Sequence, residues 1–140
     1  MRLFTGYVAV DWSASGRPRT GADSIWIACG GPGLAARLEN PATRAEAAGL
    51  LRDIFREAGD GRVLAGFDFP FGYPAGTARR ATGGDWAALW ARIAAEIEDG
   101  PDNGNNRFEA AARLNACWPG EGPFWGNGLK RDVVGLPRTK

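Results

Sequence analysis

The chain has 140 residues, 44% hydrophobic and 24% charged, which suits one folded domain with a sizeable core and is too short for two comfortable ones. Its 17 Lys and Arg balance 16 Asp and Glu, so there is no global field to draw in a polyanion or a membrane, and any anion site has to be local. Histidine is absent. That excludes Ser-His-Asp and Cys-His nucleophile systems and every His-ligated metal site, and leaves carboxylate chemistry, with or without a hard metal ion.

In chain order, Tyr7, Val8, Ala9 and Val10 form a short apolar run closed by Asp11 and Trp12, the pattern of a buried strand. Residues 13–23, rich in Ser, Gly, Pro and Arg, are a loop. A second strand is expected over residues 24–29, a turn over 30–33, and a weaker third strand over 34–39 that Asn40 and Pro41 end. Strand, loop, strand, turn, strand describes an antiparallel meander. Thr43 and Glu46 then stand at capping-box spacing, opening a helix with Ala47, Leu50, Leu51, Ile54 and Phe55 on one face and its end near Gly59. Residues 63–69 form a fourth strand, apolar on both faces as in the interior of a parallel sheet.

Residues 70–76 must be loop, because Pro70 and Pro74 cannot donate to a ladder. Asp85 is an N-cap for a helix carrying Trp86, Leu89, Trp90, Ile93 and Ile97 on one stripe. Residues 100–104 break it, and Asn106 caps a short helix reaching about Asn115. Residues 116–140 are expected to be irregular. With neither internal repeats nor a linker, the expectation is a single domain over residues 1–140.

Meander, helix and strand in this order build a mixed sheet with helices on its faces. A right-handed crossover through the first helix sets the fourth strand parallel beside the first. Asp11 and Asp68 then lie side by side at the carboxyl ends of their strands, where an open α/β sheet offers its binding crevice. Two such carboxylates repel each other and either raise a pKa or recruit a cation. Mg²⁺ or Mn²⁺ suits them, being held by a few carboxylates and water without histidine. The plainer alternative is that each aspartate caps a turn through loop amides.

Other residues stand as candidates beside this pair. Ser13, Ser15, Arg17 and Arg19 lie in the loop after Asp11, where amides, hydroxyls and guanidinium groups could hold phosphate. A plain solvated hairpin loop is the simpler expectation for them. Glu46 could turn toward the same crevice, although the capping box by itself explains it. Arg79 with Arg80, and Lys130 with Arg131, are basic pairs that could flank an acidic substrate or simply face solvent. Trp86 and Trp90 are expected in the core. Trp12, Trp118 and Trp125, at strand ends or in loops, could stack bases or sugars, with burial the simpler expectation.

The run Val8, Ala9, Val10, Asp11, Trp12, Ser13 and the run Gly66, Phe67, Asp68, Phe69, Pro70, Phe71, Gly72, with Asn40, Pro41, Ala42, Thr43 and Arg44 between them, resemble the predicted nucleases of the ribonuclease H-like superfamily. The resemblance covers about residues 6–76. It implies a three-layer α/β fold and a two-metal phosphodiester hydrolase, in which Asp11 bridges the ions, Asp68 binds one of them, and Glu46 is a third ligand. The chain departs from that pattern at its end. No fifth strand and no final helix with a further acidic ligand is read before Lys140, and Asp132 lies outside any helix. The expectation is therefore a truncated domain, or a scaffold that no longer cuts.

Three functions follow as expectations. The first is a metal-dependent nuclease or phosphoesterase acting on nucleic acid or a small phosphoester through Asp11 and Asp68. The second is a non-catalytic module binding a nucleotide or nucleic acid through its arginines and aromatics. The third is an actin-like phosphotransferase relative, for whose second copy of the fold the chain has no room. Cys29 and Cys117 fit neither a disulfide scaffold nor a zinc site, which points to a reducing cytoplasm. No signal peptide or membrane-spanning stretch is read, so no membrane partner is expected.

Overall fold

The structure is a computed structural model that describes residues 3–120 and 122–139. The chain divides into two compact units, Met1–Phe69 with Gly100–Gly104, and Pro70–Asp99 with Asn105–Lys140.

The first unit holds β1 (Gly6–Asp11), β2 (Trp26–Gly31), β3 (Leu34–Glu39), α1 (Arg44–Glu57) and β4 (Val63–Phe67). They form a four-stranded mixed sheet of order β3-β2-β1-β4. β1 to β3 are the expected antiparallel meander, and β4 lies parallel to β1 with Val8 opposite Ala65 and Val10 opposite Phe67. Strict alternation along β1 sends Val8 and Val10 inward and Tyr7, Ala9 and Asp11 outward. The inward residues join Ile25 just before β2, Ile27, Cys29 and Leu34 of the sheet and Ala47, Leu51 and Ile54 of α1 in one core. Ile25, Ile27 and Ile54 are its largest fully buried side chains. Each contributes roughly 2 kcal/mol by leaving water, so truncating any one of them to alanine would cost about 2–5 kcal/mol.

The capping box forms as the spacing predicts. The Thr43 side chain accepts from the Glu46 amide, and Glu46 returns a bond to the N-cap backbone. The turn between β2 and β3 requires glycine at position 31. Its φ of +143° is open to few side chains, and a Cβ there would lie 2.6 Å from the Thr5 carbonyl oxygen.

Three expectations change. β2 starts at Trp26 rather than at residue 24, because the Ser24 hydroxyl donates to the Gly21 carbonyl and the Ile25 carbonyl accepts from the Asn40 side chain instead of a strand. β4 ends at Phe67 and is an edge strand, not an interior one: among the described residues only β1 pairs with it, and Leu64 and Gly66 are exposed. Phe55 lies on the apolar side of α1 yet remains 40% exposed.

The second unit contains α2 (Thr77–Thr82), α3 (Trp86–Glu96) and α4 (Arg107–Asn115). The Asp85 side chain caps α3 by accepting from the Ala88 amide. Trp86 corrects its core assignment. It lies on the expected stripe but at the first turn, where it is 71% exposed, whereas Leu89 is buried and Trp90 packs against Tyr73. Trp125, for which burial was also expected, is exposed as well. α2 had no sequence signal, being only six residues with Gly76 and Gly83 at its ends. Asn106 sits at the N-cap of α4, yet its side chain bonds the Glu96 carbonyl and the Glu98 amide instead. Beyond α4 the chain is irregular and is tied down by the buried Asn115. Its amide donates to the Phe124 and Gly135 carbonyls at 2.8 Å each, and its oxygen accepts from the Phe124 amide at 2.9 Å. Cys29 and Cys117 are both free thiols. Among the described residues no helix is long and apolar enough to cross a membrane.

Candidate functional site

Parallel pairing brings Asp11 and Asp68 together. The ladder between β1 and β4 runs to Val10 opposite Phe67, and the next residue on each strand is an aspartate. The Asp68 amide donates to the Val10 carbonyl at 3.2 Å, which carries the register one step past the end of β4. The Asp68 Oδ1 then accepts from the Trp12 amide at 2.7 Å. Both aspartates are exposed.

Asp11 shares its side of the sheet with Tyr7 and Ala9, opposite the face that α1 covers. Across the antiparallel ladder it pairs with Trp26, and Ala9 pairs with Ala28. The Trp26 indole is anchored by its Nε1, which donates to the Gly21 carbonyl at 3.0 Å. A shallow groove of about 630 Å³ follows, lined by both aspartates, Trp26 and Leu38, with Ala9, Ala28 and Gly66 as its small residues. Among the described residues no Lys or Arg lines it. Trp12 and Phe67 pack against the core, Trp12 in edge contact with Phe67 and Phe69 and Phe67 tilted against Phe69.

Asp11 makes no hydrogen bond or ion pair among the described residues, and Asp68 has no cationic partner there. The plainer alternative is therefore half met. Asp68 does satisfy a backbone amide, though that of the neighbouring strand rather than of its own loop.

Glu46 does not join the pair. Its Oε2 accepts from the Ala42 and Thr43 amides at 2.9 and 3.3 Å, so that oxygen is engaged in the cap. Among the described residues no three His, Cys, Asp or Glu side chains gather into a set that could hold a metal ion.

The loop after Asp11 is held from within. The Ser13 hydroxyl donates to the Asp23 carbonyl and accepts from the Ser15 amide. The Ser15 hydroxyl donates to the Arg17 carbonyl. Both hydroxyls thus shape the loop, as in Ser/Thr turns. Arg19 stands 3.6 Å from the Asp23 carboxylate. The Arg17 guanidinium is exposed and makes no hydrogen bond or ion pair among the described residues. Arg79 lies on α2 in the second unit and is exposed. Asp132 also belongs to the second unit, where it pairs with Arg138 at 3.0 Å.

The residues that position this loop were not singled out for that role in the sequence. Arg44 donates to the Ser15 carbonyl at 2.9 Å and to the Asn103 carbonyl at 2.6 Å. Asn103, 3% exposed, accepts from the Arg44 amide at 2.7 Å and donates to the carbonyls of Ala42 and Arg17. Asn40 accepts from the Gly21 amide and donates to the Ile25 carbonyl. One signal was present. Asn103 sits in a Pro-Asp-Asn-Gly run and takes φ of +70°, the left-handed conformation that asparagine tolerates. Comparison of the chain with known proteins finds no matching family, no matching curated protein and no matching solved structure.

Proposed function

We propose that the chain is a metal-dependent phosphodiester hydrolase of the ribonuclease H-like type, with Asp11 and Asp68 as the ligands of a Mg²⁺ or Mn²⁺ ion. The observation that carries this reading is the register. Two carboxylates occupy adjacent positions at the carboxyl ends of parallel strands, exposed and without a cationic partner among the described residues. Asp68 Oδ1 takes the Trp12 amide, which leaves its Oδ2 and both oxygens of Asp11 for a cation. A hard divalent ion held by one or two carboxylates and completed by water fits that donor set. With no third acidic side chain gathered at the pair among the described residues, one ion suits the donor set better than the two that the family resemblance implies.

An ion held by Asp11 and Asp68 would supply Lewis acidity toward a phosphoester. The protein's part is to hold and orient. The Trp12 amide fixes the Asp68 carboxylate, and Arg17, in the loop that follows Asp11 and without a partner among the described residues, offers its guanidinium to an anionic phosphoester. Either nucleic acid or a small phosphoester is compatible with these groups.

The test is thermal melting with Mn²⁺. The ion should raise the Tm of the wild type, and Asp11→Asn should abolish the rise. A wild type indifferent to Mn²⁺ overturns the reading. That only two carboxylates meet here among the described residues also supports a second reading, a non-catalytic cation-dependent nucleotide-binding module. That reading predicts the same Tm rise without cleavage of a chromogenic phosphodiester.

A further inference from the structure

The chain leaves the second unit after Asp99, joins the first as a hairpin over residues 100–104, and returns to the second at Asn105. The tip of this hairpin is a closed turn. The Asn103 amide donates to the Gly100 carbonyl at 3.1 Å across Pro101 and Asp102, with proline at the corner that favours it. The Gly100 amide donates to the Gly104 carbonyl at 2.7 Å, and Asp102 Oδ1 accepts from the Gly104 amide at 3.1 Å. The stem is slighter, an isolated antiparallel bridge between Asp99 and Asn105. Asn106 closes it from the second unit. Its Oδ1 accepts from the Glu98 amide at 2.9 Å and its Nδ2 donates to the Glu96 carbonyl at 3.0 Å, which is why it does not cap its own helix.

Within the first unit, the tip holds the loop after Asp11. The Asn103 Nδ2 donates to the Arg17 carbonyl at 3.3 Å and to the Ala42 carbonyl at 3.1 Å. Its Oδ1 accepts the Arg44 amide at 2.7 Å, at the start of α1. The Arg44 guanidinium donates to the Asn103 carbonyl at 2.6 Å, to the Ser15 carbonyl at 2.9 Å and to the Ser13 carbonyl at 3.5 Å. The carbonyls of residues 13, 15 and 17 therefore all end on two side chains, and one of those belongs to the hairpin.

We propose that this hairpin is a latch by which the second unit sets the order of the loop that carries Arg17, with Asn106 closing the stem and Asn103 gripping the loop. A closed stem presents the Asn103 carboxamide already ordered. With the stem open, the tip has to be ordered at the moment it binds, and its grip on the loop weakens. An isolated two-stranded stem is marginal by itself, so opening it is a local event that leaves the core of either unit folded. The coupling runs through the backbone and is reciprocal, so loosening the loop must in turn loosen the hairpin. The latch rests on these bonds and not on the metal reading. Where that reading holds, the latch governs how firmly the Arg17 guanidinium is held for a phosphoester.

The experiment is amide hydrogen exchange of the full chain in EDTA, read peptide by peptide by mass spectrometry. Both side-chain bonds of Asn106 lie within the second unit, yet Asn106→Ala should speed exchange over residues 14–19 of the first by about fivefold or more. Asn103→Gly keeps the left-handed backbone and should do the same with the stem intact. Arg44→Ala should speed exchange over residues 102–104 in return. Asn127→Ala is the control. It breaks bonds to Leu129 and Arg131 elsewhere in the second unit and should leave residues 14–19 as they are in the wild type. Faster exchange over residues 98–105 in Asn106→Ala with residues 14–19 unmoved overturns the proposal. So does an equal rise over residues 14–19 in Asn127→Ala, which would mark a general loss of stability. Should alanine at position 106 prevent folding, Asn106→Asp keeps the acceptor and loses only the donor, and must still speed residues 14–19. A loop unmoved in that variant, or in Asn103→Gly, overturns the latch. None of these outcomes bears on the Mn²⁺ melting test, and a failure of that test leaves them intact.

Discussion

The Asp68 carboxylate accepts the Trp12 backbone amide at 2.7 Å, one residue beyond Asp11 on the neighbouring strand. That bond makes Asp68 a clamp between the ends of β1 and β4 as well as a candidate ligand, and the two roles respond differently to substitution. Asp68→Asn keeps an oxygen acceptor for the amide and should leave stability nearly unchanged. Asp68→Ala removes it and should cost about 1 kcal/mol. Urea denaturation of the two variants measures the clamp. The Mn²⁺ response, lost in both if Asp68 is a ligand, measures the other role.

Glu46 provides a control for the site. As the N3 member of the capping box it bonds the Ala42 and Thr43 amides. Glu46→Gln should hold the cap and leave any Mn²⁺ stabilisation as it is in the wild type. Thr43→Ala, at a buried N-cap, should cost about 1 kcal/mol. A Glu46→Gln variant that lost the Mn²⁺ response while keeping its stability would return the residue to the metal site.

Arg44 and Asn103 should behave as a unit. Removing the Arg44 guanidinium strands the Ser15 and Asn103 carbonyls, so Arg44→Ala should cost about 2 kcal/mol and speed hydrogen exchange across residues 14–19. At Asn103, alanine loses the side-chain bonds and must also adopt φ of +70°, whereas glycine loses only the bonds. Asn103→Ala should therefore be less stable than Asn103→Gly by about 1 kcal/mol. The reverse order in chemical denaturation would show that position 103 does not hold the left-handed backbone in solution.

In the second unit, the Arg92 hydrogen bond, and behind it Arg113, hold the Glu96 carboxyl below its ordinary value of 4.5 against the opposing effect of burial. A lowered folded-state pKa gives stability that is fully present above the unfolded value and is lost as pH falls through the folded one. Glu96→Gln should therefore cost on the order of 1 kcal/mol at neutral pH. The gap from the wild type should close as the pH is taken well below 4.5. Denaturation at a series of pH values checks the sign, and a gap that widened on acidification would contradict it.

Much of the first unit was legible because its signals are local. Alternation in residues 7–11, the Thr43 and Glu46 spacing and the chain order that implies a crossover all act within a few residues or through a handedness rule. Trp86 and β4 show where this ends. Each carries the right apolar pattern, but pattern marks which side of an element is apolar and not whether anything covers it. Trp86 is 71% exposed at a helix start, and β4 is left at the edge of the sheet. α2 was illegible because six residues are too short to establish a period.

The sequence by itself determined the chemistry available and the element that follows each loop. Lacking histidine, it can offer carboxylates, and it places Asp11 and Asp68 at the ends of two apolar runs. Tertiary structure decided what those carboxylates meet. Only the register across β1 and β4 could bring residues 11 and 68 into adjacent positions, give Asp68 the Trp12 amide and turn Asp11 to the face that α1 leaves open. It likewise kept Glu46 in its cap and closed Arg44 and Asn103 over the loop between, contacts joining residues 59 apart in the chain. Such pairings depend on which strand lies beside which, a property of the folded sheet that no local stretch of sequence contains.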